Sequence, residues 1–264
     1  MSFFSAKDIS AGYGNSPVIE QVSFDLQQGS LMGILGANGS GKTTLLKAIC
    51  GILPHEGFCH LEGTALESLS VRQRAKRCSY IPQRSGIGID ISVLDVVLMG
   101  FNPQLGLLEH PSTQMVDQAL LALSQVGLGT MAHANYLHLS EGQKQLCILA
   151  RTLVSGSKLL LLDEPESALD FRYRYQILTL LRGWVTENRS SAIVTLHDAS
   201  LALNYCQSLL LLSGGKVLGV IHPGQDSLES MEQLLSQIYG AVSLQYVRTK
   251  NGQSQLIMLH EDRL

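Results

Sequence analysis

The chain of 264 residues lacks a basic excess. Nineteen Lys and Arg against 22 Asp and Glu leave a formal charge of −3, so there is no cationic surface of the kind that tracks a phosphate backbone. Nucleic acid is therefore disfavoured as a partner. No run of about 18 apolar residues occurs, and the opening MSFFSAKDIS has no basic flank leading into an apolar stretch. The reading thus predicts neither a membrane span nor a signal peptide, and it places the chain on the cytoplasmic side. Cys50, Cys59, Cys78, Cys147 and Cys206 are odd in number, form no CxxC pair and lie mostly in apolar segments. This predicts buried free thiols rather than a redox or metal role. There is no internal repeat, low-complexity tract or obvious linker. Of the eight histidines, only His197 has a sequence context that carries an argument.

At 45% hydrophobic and 16% charged residues, the chain is long and apolar enough for one large core with lobes. Early strand-like runs punctuated at Gly12, Gly14, Asn15 and Gly29 predict antiparallel strands. A buried strand follows at Leu31 to Leu35, then a glycine-rich loop, then a helix from Lys42. SVRQRAKR reads as a short basic helix, CSYIPQ as a strand, and the region from Ser92 to Val154 as mostly helical. KLLLLDEP, FRYRYQILTLLRGWVTEN, SAIVTLHD and SLALNYC then alternate strand and helix, which predicts a parallel sheet covered by helices. The texture changes after His222.

Gly36-Ala37-Asn38-Gly39-Ser40-Gly41-Lys42-Thr43 fits the pattern GxxxxGK[ST] between a strand and a helix, the context a P-loop requires. Its glycines let backbone N–H groups wrap phosphate oxygens, Lys42 adds a cation for the β and γ phosphates, and the Thr43 hydroxyl is placed for Mg²⁺. The motif predicts a nucleoside triphosphate. Further on, four leucines end in Asp163-Glu164 at the C-terminal end of a strand, where ligands bind in open α/β sheets. Strand alternation predicts different roles for the two carboxylates: Asp163 for Mg²⁺, Glu164 as the general base that polarises an attacking water. The stretch LSEGQKQLCILAR poses a question, because Ser140, Gly142 and Gln143 open a helix, a place suited to an anion that nothing nearby in the chain supplies.

P-loop, LSEGQ, LLLLDEP and SALD, in this order and over at least residues 3 to 220, resemble the nucleotide-binding subunit of an ABC transporter. The resemblance implies a P-loop NTPase (RecA-like) α/β core with an antiparallel β subdomain and an α-helical subdomain. It places the nucleotide-binding domain at 1–225, the helical subdomain at about 84–154, and a small appendage at 226–264. It implies ATP and Mg²⁺ as ligands, and an anion supplied to LSEGQ by the P-loop of a second copy in a head-to-tail dimer. By the same resemblance, Tyr13 stacks on adenine, and Gly36, Asn38, Gly39, Ser40, Gly41, Lys42, Thr43 and Thr44 hold the phosphates. Ser140, Gly142, Gln143 and Asp170, the last in Ser167-Ala168-Leu169-Asp170, act across the dimer. Gln83 touches Mg²⁺ or water, and His197 contacts the γ-phosphate and steadies Glu164.

Two acidic residues depart from the pattern: Glu141 replaces the first glycine of LSGGQ, and Glu166 stands between the DEP and SALD elements. Glu141 is expected to point away from the triphosphate. DISVLDVVLMG and the tail SMEQLLSQIYGAVSLQYVRTKNGQSQLIMLH further resemble importers of iron chelates, haem or cobalamin. The implied partners are a permease, docked near Ile87 to Met99, and indirectly a substrate-binding protein, at the cytoplasmic face of the inner membrane. An exporter subunit, a soluble ABC ATPase acting on nucleic acid or ribosomes, and adenylate-kinase-like transfer are the competing readings.

Overall fold

The computed structural model describes residues 2–14, 16–83, 86–106, 108–167 and 169–261. Asn15 and Ala168 lie outside the described residues. The elements run β1 Phe4–Tyr13, β2 Ser16–Leu26, β3 Leu31–Leu35, α1 Lys42–Ile49, β4 Glu56–Leu61, β5 Thr64–Ala65, α2 Val71–Arg77 and β6 Cys78–Ile81. Three helices follow, α3 Val93–Leu98, α4 Thr113–Gln125 and α5 Glu141–Leu153. The chain then continues through β7 Leu159–Asp163, α6 Phe171–Glu187, β8 Ser191–Thr195, α7 Ala199–Tyr205, β9 Ser208–Ser213, β10 Lys216–Ile221, α8 Leu228–Tyr239, β11 Val242–Arg248 and β12 Ser254–His260.

The central sheet has the order β10-β9-β3-β8-β7-β6. From β9 to β6 every neighbouring pair is parallel, whereas β10 pairs antiparallel with β9. The expected parallel sheet is therefore a mixed one. β9 and β10 are joined through Gly214 and Gly215, both at positive φ, a connection too short for the crossover a parallel pair needs.

Alternation along the inner strands divides the core in two. Leu160 and Leu162 of β7 face a core built with α3 to α8, while Leu159 and Leu161 face one built with α1, β1, β2 and β4. All four leucines are fully buried, as a strand covered on both faces requires. The second core carries the antiparallel sheet β2-β1-β4-β5. In the first, Val93, Val96 and Val97 of α3 are completely buried among α4 and α5.

The C-terminal hairpin β11–β12 is fastened to α7: the Asn204 side chain donates to the Leu256 carbonyl at 2.7 Å and accepts its N–H at 2.9 Å. Met231, Leu235, Leu244 and Leu256 enter the same core as the helices. Five cysteines are free, four of them buried and Cys50 half-buried.

Candidate functional site

The C-terminal ends of β3, β7 and β8 bring the phosphate loop, the carboxylates and His197 together. The loop between β3 and α1 is shaped by close approach. A Cβ on Gly36 would lie 2.5 Å from both the Leu212 carbonyl and Ser40 Oγ, so no larger residue fits. Gly41, at φ 102°, would in addition strike Ile19. Lys42 is buried, and its ammonium donates to the carbonyls of Gly36 at 2.8 Å and Ala37 at 3.3 Å. Burial lowers its pKa, opposed by the negative charges of Glu164, Asp163 and Glu166. Ser40 Oγ is buried with no protein partner, an orphan hydroxyl suited to a phosphate oxygen. Asn38, Gly39, Thr43 and Thr44 line the same pocket of about 150 Å³, together with Glu164.

Asp163 is held by three hydroxyls. Thr43 and Thr195 each donate to its Oδ1 at 3.0 Å, and Tyr80 donates to Oδ2 at 3.2 Å. The Tyr80 phenol is kept neutral, first by burial and then by the adjacent Asp163 charge. Thr195 also accepts the Glu164 N–H at 2.8 Å, so one side chain positions both acidic residues. Glu164 does point away from Asp163, but not through strand alternation: β7 ends at Asp163, and Glu164 has φ 48°, a left-handed turn that re-aims the side chain. Its carboxylate lies between the Gln83 amide, which donates to Oε2 at 2.5 Å, and His197 Nε2, 2.7 Å from Oε1.

Several contributors carried no local sequence signal. Gln145 of α5 is buried and donates to the Gln83 carbonyl at 2.6 Å, tying the helix that begins at LSEGQ to the residue that touches Glu164. Thr195 and Tyr80 reach Asp163 from other strands. Glu166 is buried, accepts the His197 N–H at 3.1 Å through Oε1, and leaves Oε2 without a partner. Burial raises its pKa, partly offset by its backbone hydrogen bonds and by His197. The helix that opens at LSEGQ, by contrast, was anticipated from the apolar spacing that follows it, and it runs from Glu141 to Leu153.

Ser140, Glu141, Gly142, Gln143, Asp170 and Tyr173 border a second pocket, of about 330 Å³, which shares no lining residue with the phosphate-loop pocket. Here Ser140 and Gln143 form a capping box. Ser140 Oγ accepts the Gln143 N–H at 3.3 Å, and the Gln143 side chain accepts the Ser140 N–H at 3.0 Å. Asp170 caps α6 by accepting the Tyr173 N–H. Glu141 turns aside to Lys144, whose ammonium lies 2.8 Å from Oε1. A third space, a cleft of about 930 Å³, is lined by Tyr13, Gly12, Pro17, Leu53 and His55, with Tyr13 54% exposed.

Residues 19–167, which hold the phosphate loop, Asp163, Glu164 and the LSEGQ helix, match the sequence profile described as ABC transporter. The chain belongs to the ABC transporter family. This ABC ATPase is 36% identical over 232 residues to the hemin import ATP-binding protein HmuV of Bordetella pertussis, covering 84% of the chain and 87% of that protein. It is 34% identical over 213 residues to the manganese transport system ATP-binding protein MntB of Bacillus subtilis, covering 80% of the chain and 83% of that protein. A solved structure described as a metal-chelate type ABC transporter in an inward-facing conformation superposes with a TM-score of 0.82 at 25% identity, over 99% of each chain. The protein is an ATP-binding, ATP-hydrolysing subunit that energises an ABC importer. ABC ATPases of importers dimerise and pair with membrane permeases. Among the described residues of this one, no helix is long and apolar enough to cross a membrane.

Proposed function

We propose that this ABC ATPase powers the uptake of haem or a related iron chelate, as one of two copies docked on a permease at the cytoplasmic face of the cell membrane. The observation that carries the cargo class is the 36% identity to a hemin import ATP-binding protein over 84% of the chain. The manganese transport relative, 34% identical, favours a free metal ion as the second reading. In this account residues 1–225 form the nucleotide-binding domain, with the helical lobe at about 84–154, and 226–264 extend it.

The mechanism we infer uses the two pockets in trans. In one copy, the Gly36–Thr43 amides and Lys42 hold the phosphates while Tyr13, exposed at its cleft, stacks on the adenine. Ser140, Gly142, Gln143 and Asp170 of the second copy close over the γ-phosphate. That pockets with no residue in common lie in one chain supports this division, since a symmetric head-to-tail pairing brings each to the other's counterpart. Lys42 now bonds to loop carbonyls and would exchange them for phosphate oxygens.

The oxygens of Thr43 and Asp163, 3.0 Å apart, and the Gln83 side chain near Glu164 suit a hard cation. Mg²⁺ bound there supplies charge neutralisation at the β and γ phosphates. Glu164 accepts the proton of the attacking water, His197 orients that carboxylate, and Gln83 couples it to α5 through Gln145. Hydrolysis removes the ligand shared by the two copies, so they part, which is the motion delivered to the permease. Ile89, 56% exposed in the segment after Gln83, belongs to the surface we assign to permease docking. No nucleic-acid partner is invoked.

The test is a pull-down of the tagged chain from detergent-solubilised membranes of its host, with bound proteins identified by mass spectrometry. A multi-span permease supports the assignment; ribosomal or nucleic-acid proteins alone overturn it. Uptake of labelled haem against manganese, in cells with and without the subunit, separates the two cargo readings.

A further inference from the structure

Outside the nucleotide site, three different donor types converge below the antiparallel sheet. His55 precedes β4, Cys59 lies within it, and Glu67 stands on a short 3-10 turn, Leu66–Ser68. Their ligand atoms, an imidazole nitrogen, a thiol sulfur and a carboxylate oxygen, all lie within 4.8 Å of one another. The His55 side chain is 6% exposed, Cys59 is fully buried and the Glu67 side chain is 31% exposed, so the cluster is sheltered yet open on one side.

We propose that His55, Cys59 and Glu67 form a binding site for a borderline-soft divalent metal ion of the Zn²⁺ type. The inference is independent of the cargo and of the nucleotide mechanism. Nitrogen, sulfur and oxygen in a set of three, with a fourth position toward solvent, are the donors that Zn²⁺ accepts. Bond lengths of roughly 2.0–2.3 Å place tetrahedral ligands about 3.3–3.8 Å apart, so the observed cluster closes on a metal with side-chain adjustments of about an ångström.

The hydrogen bonds present do not explain the thiol. Glu67 Oε1 accepts the Cys59 N–H at 2.7 Å and lies 3.2 Å from His55 Nε2, contacts that tie Glu67 to β4 and to the segment before it. Neither requires sulfur at position 59. Burial lowers the pKa of His55, opposed by the Glu67 charge. Burial, reinforced by Glu67, pushes the Cys59 thiol up to about 12. Metal binding would release the thiol proton to solvent as the metal–sulfur bond forms. Arg74, whose charge is felt at both His55 and Cys59, opposes a cation. The Glu67 carboxylate and the Cys59 thiolate outweigh it by one charge.

Sequence spacing concealed the cluster, because the ligands come from an irregular segment, a strand and a 3-10 turn rather than from a CxxC. Its position gives it a consequence, since His55 also lines the cleft beside Tyr13. Occupancy would tie the segment before β4 to the wall of that cleft.

Co²⁺ tests the site in the full-length protein, reduced and stripped of metal with a chelator. One equivalent should produce a thiolate-to-cobalt charge-transfer band and the intense visible bands of tetrahedral Co²⁺, both displaced by Zn²⁺. Cys59→Ser should abolish the charge-transfer band, His55→Gln should weaken Co²⁺ binding by about 10-fold or more, and Cys147→Ser should change nothing. Melting curves establish that each variant is folded, and His55→Gln stands in should Cys59→Ser fail to fold. Absence of the band at one equivalent, its survival in folded Cys59→Ser, or undiminished affinity in His55→Gln would overturn the proposal.

Discussion

The imidazole of His197 and the carboxylate of Glu164, a residue that lines the phosphate-loop pocket, meet at 2.7 Å, Nε2 to Oε1. His197 comes from the end of β8 and Glu164 from the end of β7, so neighbouring parallel strands fix the pair. Glu164 depends on this contact for its aim, because its left-handed backbone leaves the side chain beyond the strand. His197→Ala should lower kcat by roughly 10²–10⁴-fold with a much smaller change in ATP affinity. Steady-state ATPase assays alongside nucleotide titration separate the two effects.

Gln145 is the link that sequence reasoning missed. Gln145→Ala leaves the Gln83 carbonyl without its donor in a part-buried position, at a cost of about 1–3 kcal/mol. A lowered denaturant midpoint is expected, and ATPase activity should fall further than the fraction of unfolded protein accounts for.

Lys144 shields the carboxylate that Glu141 adds to the LSEGQ helix. The Glu141 side chain is 71% exposed, so the pair is worth no more than about 1 kcal/mol. Lys144→Ala should therefore weaken ATP-driven dimerisation by up to about fivefold, more at low salt than at high. Glu141→Gly should strengthen it. Sedimentation across a salt series distinguishes the two variants.

Glu166 gives a pH signature. Its pKa is raised by burial, so the folded state holds a proton that the unfolded chain releases, and stability falls as pH rises from the ordinary carboxyl value through the raised one. Glu166→Gln keeps an oxygen for the His197 N–H and removes that dependence. The variant should gain in melting temperature relative to the parent on going from pH 4 to pH 8; a constant difference would show that Glu166 carries no buried charge.

The phosphate loop, the β7 carboxylates and the LSEGQ helix were legible because each is a local run whose spacing dictates its backbone. Gly36 and Gly41 stand where a Cβ collides, and Ser140 opens a helix whose apolar spacing follows it in the chain. What was not legible depends on distant partners. Tyr80 and Asp163 are 83 positions apart, and Glu166 meets the His197 N–H across 31 positions. Alternation placed Asp163 and Glu164 on different sides for the wrong reason, since the positive φ of Glu164 has no signature in a side chain that ordinarily avoids it. The antiparallel edge β10 was missed because the alternation read from the sequence ends at SLALNYC, before β9 and β10.

The central claim is that two copies complete each other's site, and light scattering on Glu164→Gln with ATP and Mg²⁺ tests it most directly. Without the base, nucleotide binds and is not turned over, so the account predicts a stable dimer that reverts to monomer when ADP replaces ATP. A variant that binds ATP and stays monomeric would contradict the composite site.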